Sequence, residues 1–135
     1  MSISYRGEIW RWGGPNSLQS LRFEYSLTAP GINDSSNSWV DVASLGMSFQ
    51  HSGSGSEQDG NLNPTSLTGS ISNLSLLNGQ DIWIRWKDIG DAGATDHGFS
   101  VDDLIVNFET ASSPVPEPAT IALMGLGALA AWRKR

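Results

Sequence analysis

SLRFEYSL (Ser20–Leu27) is the stretch on which the fold turns. Leu21, Phe23, Tyr25 and Leu27 fall on one side of an extended chain, and Arg22, Glu24 and Ser26 fall on the other. Side chains alternate across a strand with a period of two, so this stretch predicts a half-buried antiparallel strand with an apolar inner face and a polar outer one.

The same chemistry recurs on both sides of it. MSISYRGEIWRW starts as a strand at once, with Ile3 and Tyr5 alternating against Ser2, Ser4 and Arg6. SWVDVASL (Ser38–Leu45), TSLTGSISNLSL (Thr65–Leu76), DIWIRWKD (Asp81–Asp88) and GFSVDDLIVNF (Gly98–Phe108) complete a set of about six strands. Between them lie GGPNS, APGINDSSNS and NGQ, whose Gly, Pro, Asn and Ser content belongs to turns. NGQ (Asn78–Gln80) is expected to join two paired strands, and the Gly/Ser stretch from Gln50 to Pro64 to be a mobile loop. No segment before Ser112 shows helical periodicity. Residues 1–110 therefore read as an all-β, antiparallel β-sandwich. The start in mid-strand and the low strand count suggest the C-terminal part of a larger, jelly-roll-like domain.

Composition limits the chemistry. The chain of 135 residues has room for one modest domain and a tail. It contains no Cys and two His, which removes disulfide scaffolds, Cys-based zinc sites and thiol catalysis. No GxSxG, HExxH or P-loop is present, so an enzyme is not expected. Residues 1–114 hold five basic and thirteen acidic side chains, a balance that repels a phosphate backbone and argues against nucleic acid.

The far end has a different character. SSPVPEPATIALMGLGALAAWRKR (Ser112–Arg135) places three prolines ahead of an uncharged run, Ala119–Trp132, that closes on Arg133, Lys134 and Arg135. The prolines bias residues 111–118 toward an extended linker. Fourteen helical residues span about 21 Å, short of the ~30 Å hydrocarbon core, so residues 119–135 form a marginal transmembrane helix. The terminal basic cluster acts as a membrane stop and keeps the C-terminus on the cytoplasmic side. A plain membrane anchor is the competing reading. The N-terminus has no basic segment followed by a long apolar stretch, so it is not a secretory signal peptide, and a chain with such a tail and such a start reads as truncated.

Two resemblances follow from these residues. Val115-Pro116-Glu117-Pro118, the Gly/Ala/Leu run and the Arg-Lys-Arg end resemble the PEP-CTERM sorting signal of Gram-negative bacteria. That resemblance implies recognition by an exosortase in the inner membrane, with processing near Pro116–Pro118 and release or attachment at the cell surface, among exopolysaccharide. GEIWRWGG (Gly7–Gly14), LRFEYSL (Leu21–Leu27), the DGN of Asp59–Asn61 and IWIRWKD…DHGFSVDDL (Ile82–Leu104) form an ordered set. It resembles an accessory β-domain of secreted, multidomain bacterial proteins, including extracellular nucleases. Trp12 stands where that family often has Asn.

Candidate sites in the body are few. Asp88, Asp91, Asp96, Asp102 and Asp103 supply the hard oxygens calcium requires, with Asp59 and Asn61 as contributors from another loop. Against this stands a solvated acidic loop whose aspartates pair with Arg85 or Lys87. Trp10 and Trp12 share one face of a regular strand and could stack on sugar rings, whereas Trp39 and Trp86 are expected in the core. His51 and His97 read as loop histidines. The reading that results is an exported surface or extracellular-matrix protein with a structural or binding role. A carbohydrate-binding module for exopolysaccharide is the first alternative, and an accessory remnant of a secreted hydrolase or nuclease the second.

Overall fold

The computed structural model describes residues 1–15, 17–89 and 95–109. Among the described residues eight strands form: β1 (Ser2–Trp12), β2 (Ser17–Ser26), β3 (Val40–Asp41), β4 (Met47–His51), β5 (Ser56–Glu57), β6 (Thr65–Ser70), β7 (Trp83–Ile89) and β8 (Gly98–Asn107). One turn of 3₁₀ helix (Ala43–Leu45) lies between β3 and β4, and no α-helix occurs among the described residues. The count exceeds the expected six by β4 and the two-residue β5, which form where no strand was expected.

Both sheets follow one plan. β1 is the centre of the first, with β8 on one side and the short β5 and β6 on the other. β2 is the centre of the second, flanked by β7 on one side and by β3 and β4 on the other. All pairings are antiparallel, and they are nested: β2–β7 pairs inside β1–β8, and β2–β4 inside β1–β6. This order places the two consecutive long strands in different sheets.

The sheets meet through the inward residues. Ile3 and Tyr5 of β1, Phe23 of β2, Met47 of β4, Leu45 and Ile71 form the buried core. Trp86 stands edge-on to Tyr5 at 5.2 Å and to Phe23 at 5.3 Å, joining the sheets at their middle. Edge-to-face aromatic pairs contribute roughly 0.5–1.5 kcal/mol each beyond burial. The Tyr5 hydroxyl donates to the Leu45 carbonyl, and burial raises its pKa above the ordinary value, with the neighbouring Trp86 indole opposing. The pairing of β1 with β6 continues past the strand ends, because the Met1 amine donates to the Ile71 carbonyl at 3.0 Å and the Ile71 amide to Met1 at 2.9 Å.

Several expectations need correction. Ser38–Leu45 is a strand only at Val40–Asp41, then turns into the 3₁₀ helix, and Thr65–Leu76 is a strand only to Ser70. NGQ is a tight turn, with Gln80 N–H on the Leu77 carbonyl at 3.1 Å and Gly79 at φ +83°. It joins no hairpin, since β6 pairs with β1 and β7 with β2. The stretch from Gln50 to Pro64 begins in β4 and contains β5, so part of it is sheet. Among the described residues no helix is long and apolar enough to cross a membrane. The linker (111–118) and the helix predicted over 119–135 lie outside the described residues.

Candidate functional site

The motifs singled out in the body meet at three joints. The first is on the outer face of the first sheet. Trp10 is the extra residue of a β-bulge, where Ile9 faces Phe99 of β8 and Arg11 faces Gly98. A bulge inserts one residue and re-aims the side chains around it. Trp10 Nε1 donates to Glu8 Oε2 at 2.8 Å, and Gly60 lies against the indole. A Cβ on Gly60 would stand 2.5 Å from Trp10 Nε1, so the DGN glycine is required by close approach. Glu8 Oε1 is buried with no hydrogen-bond partner among the described residues.

The second joint closes the pole at Trp12. The Gly13 amide donates to His97 Nδ1 at 2.8 Å, which places the ring proton of neutral His97 on Nε2. The His97 amide donates to Gln19 Oε1, while Gln19 Nε2 donates to Asp96 Oδ1 at 3.1 Å and the Thr95 carbonyl at 3.3 Å. A Cβ on Gly13 would fall 1.7 Å from the Thr95 carbonyl oxygen, so this backbone-to-backbone approach also demands glycine. Trp12 packs here, stacked on His51 at 4.7 Å and edge-on to His97 at 5.1 Å and Phe49 at 6.4 Å.

The third joint covers the outer face of the second sheet. Arg85 reaches Glu24 with both Nε and Nη2, at 2.8 and 2.7 Å. Its Nη1 donates to the carbonyls of Ile32 and Asp34 at 3.0 and 2.9 Å. The Trp39 ring lies over the guanidinium at 3.7 Å, and its Nε1 donates to the Asp34 carbonyl. Asp34 has its carboxyl held below the ordinary range by the Ser36 hydroxyl, then by Ser38, the Ser36 amide and nearby Arg85. Arg22 adds a weaker exposed contact to Asp41 at 3.4 Å.

These contacts locate the expected site residues. Among the described residues the calcium set is not brought together: Asp88 is exposed on β7 and Asp96 is held by Gln19. Asp102 accepts from the Asp103 amide, and Asp103 pairs with Arg6 at 3.3 Å rather than with Arg85 or Lys87. Asp91 lies outside the described residues. Among the described residues no group of three or more His, Asp or Glu could hold a metal ion. Asp59 is engaged locally, accepting from the Asn61 amide at 3.1 Å and its side chain at 3.3 Å. The bulge separates the two tryptophans assigned to one face, and Trp10 is not among the ring neighbours of Trp12. His97 lies just before β8, outside the strands as expected, but is buried, 6% exposed, where an exposed loop histidine was expected. Trp86 is in the core interface as expected, but Trp39 covers an ion pair instead.

The reading by alternation missed Glu24, which is buried on a face assigned to solvent, and Gln19, which precedes the stretch it covered and is buried on the side of Leu21 and Phe23. The available signal was a glutamate at the centre of LRFEYSL and an arginine at the centre of IWIRWKD, opposite charges on two predicted strands of one sandwich. Val115, Pro116, Glu117, Pro118 and the stop residues Arg133, Lys134 and Arg135 lie outside the described residues.

Comparison with known proteins yields one finding. Residues 114–135 match the PEP-CTERM protein-sorting motif. No curated protein and no solved structure matches the chain.

Proposed function

We propose that this chain is a cargo protein delivered to the cell surface or extracellular matrix by an exosortase, with the β-sandwich as its structural or binding part. The match of residues 114–135 to the sorting motif carries this reading. In it, the prolines at 114, 116 and 118 keep the segment ahead of the apolar run extended, as a protease-like enzyme requires. Residues 119–132 hold that segment at the inner membrane as a short helix, and Arg133, Lys134 and Arg135 stop it there until processing. The product then resides among exopolysaccharide at the surface of a Gram-negative cell. In this reading the body is non-catalytic and jelly-roll-like in ancestry, and its buried Glu24 and His97 hold strands together.

The test is the mass and location of the tagged chain, preceded by a Sec signal peptide, in cells with active or inactive exosortase. Loss of the segment beyond the Pro-Glu-Pro motif only with active enzyme supports the reading. A tail retained in both backgrounds overturns it and leaves a plain anchor.

One observation favours a carbohydrate-binding role as a second reading. Ile9, Trp12 and Phe49 line a small cleft together with Gln58, Asp59 and Asn63. An aromatic floor with an amide and carboxylate rim suits a sugar hydroxyl pattern. Affinity electrophoresis in host exopolysaccharide tests it: retardation lost in Trp12→Ala supports sugar binding at this cleft, and equal mobility with and without polysaccharide dismisses it.

A further inference from the structure

The pole opposite Trp12 carries a groove of about 940 Å³ lined by Met1, Ile71, Leu74, Leu76, Phe108 and Glu109, among others. It sits where β1 begins and where β6 and β8 end, as the pairing of Ser2 with Ser70 and Asn107 shows. Two large apolar side chains are left in solvent here, Leu77 at 71% exposure and Phe108 at 55%. Leu77 is not a frayed residue. Its carbonyl accepts from the Gln80 amide at 3.1 Å and its amide donates to Gln80 Oε1 at 2.9 Å, so the leucine is fixed as the first residue of a tight turn. Leu27 and Ile32, in the segment that follows β2, are also exposed.

The covalent chain says what this pole must face. Glu109 lines the groove, and Pro116 of the sorting motif follows seven residues later. A fully extended chain of that length reaches at most roughly 25 Å. The opposite pole is a further β1 length away, about 33 Å for ten steps of strand. While the tail is anchored, the groove pole is therefore the one tethered within about 25 Å of the bilayer, and the Trp12 pole has up to a β1 length more of freedom. Asp81 and Glu109 are exposed near the groove and disfavour a strongly anionic surface.

We propose that this pole beds into the headgroup region of a phospholipid bilayer, with Leu77 and Phe108 reaching the acyl boundary. Docking orients the sandwich and presents the sorting segment close to the membrane surface. Exposed apolar side chains rimmed by polar ones mark interaction sites, and interfacial binding scales with the apolar area buried. This inference rests on the membrane-anchored tail of the proposed function.

The experiment uses the full chain in phosphatidylcholine vesicles. The protein has no cysteine, so Leu77→Cys, Phe108→Cys and, at the far pole, Leu62→Cys each accept one nitroxide label at an exposed position. Collisions with oxygen and with a water-soluble nickel chelate report lipid against water. The expected result is flotation with the vesicles and an oxygen-to-nickel accessibility ratio severalfold higher at 77 and 108 than at 62. Flotation with all three labels equally wet overturns the docking and leaves the anchor standing. Failure to float overturns the docking and the anchored tail together. Protection of 77 and 108 that appears only when exosortase-containing membranes are added assigns the groove to the enzyme and overturns the lipid proposal.

Discussion

Glu8 and Glu24 hold matching places in the two sheets. Each lies on the outer face of the central strand, and each is nearly shut off from water, 3% and 6% exposed. Their partners differ. Glu24 meets Arg85, sixty-one residues away, through two short hydrogen bonds, and loop carbonyls and Trp39 satisfy the rest of the guanidinium. Glu8 receives one bond from Trp10, two residues away, and keeps Oε1 without a partner among the described residues. Burial alone does not make a carboxylate structural. A distant cation turns Glu24 into a clamp between β2, β7 and the segment before β3, whereas Glu8 stabilises little beyond its own bulge.

The largest break in this comparison is Arg85→Met. It strands Glu24 as an uncompensated buried charge and removes the support of Trp39, so thermal denaturation should show a loss of about 3–5 kcal/mol. Glu24→Leu added to Arg85→Met should recover most of that loss, because an apolar pair of similar volume avoids the desolvation of both ions. An undiminished loss in the double variant would show that the pair is not the source of the effect.

Gly60→Ala comes next. Its Cβ would collide with Trp10 Nε1 and push the indole away from Glu8, at a cost of roughly 1–3 kcal/mol. Urea titration against Gly79→Ala separates crowding from backbone strain, since Gly79 has open space around it but a positive φ.

Glu8→Gln sharpens the comparison from the weak side. Removing a buried charge that lacks a cation should change stability by less than about 1 kcal/mol, whereas Glu24→Gln, which weakens a charge-assisted pair, should cost about 2 kcal/mol. Equal costs for the two substitutions would mean that Glu8 has as firm a partner as Glu24.

The smallest effect belongs to pH at the same clamp. The Asp34 carboxyl has its pKa lowered from 3.8, so its contribution is complete above that value and is lost as pH falls below it through the folded pKa. Near-ultraviolet circular dichroism of Trp39 should change over that acid range, and Ser36→Ala should shift the change toward higher pH. An unmoved midpoint would show that the Ser36 hydroxyl does not hold the carboxylate.

Much of the architecture was legible because strand periodicity is a local property. Ser20–Ser26, the start of β1 and most of Asp81–Asp88 are strands where alternation and apolar content predicted them, whereas Leu27, expected on the buried face, lies past the end of β2 and is exposed. The errors share one cause. NGQ has the chemistry of a tight turn and forms one, but a turn does not state which sheet its flanks join. Trp10 and Trp12 obey a period of two until one inserted residue against β8 breaks it. Glu24 alternates onto the polar face, yet the loop before β3 covers that face, whereas Gln19 has the parity of Leu21 and Phe23 and is buried against the segment before β8. The aspartates were grouped by closeness in sequence, and the fold sent Asp88 to one sheet and Asp102 and Asp103 to the other.

By itself, the sequence determined an all-β body without disulfides, an acidic surface and a sorting motif at residues 114–135, because each depends on residue type and local spacing. Only the tertiary structure decided the partner of each buried polar group. Glu24 with Arg85 and His97 with Gly13 and Gln19 are contacts between segments more than sixty residues apart. Sheet pairing and loop packing create them at the moment the chain closes on itself. No local pattern encodes that event, since the same glutamate is a solvated surface residue until an arginine from another strand is brought against it.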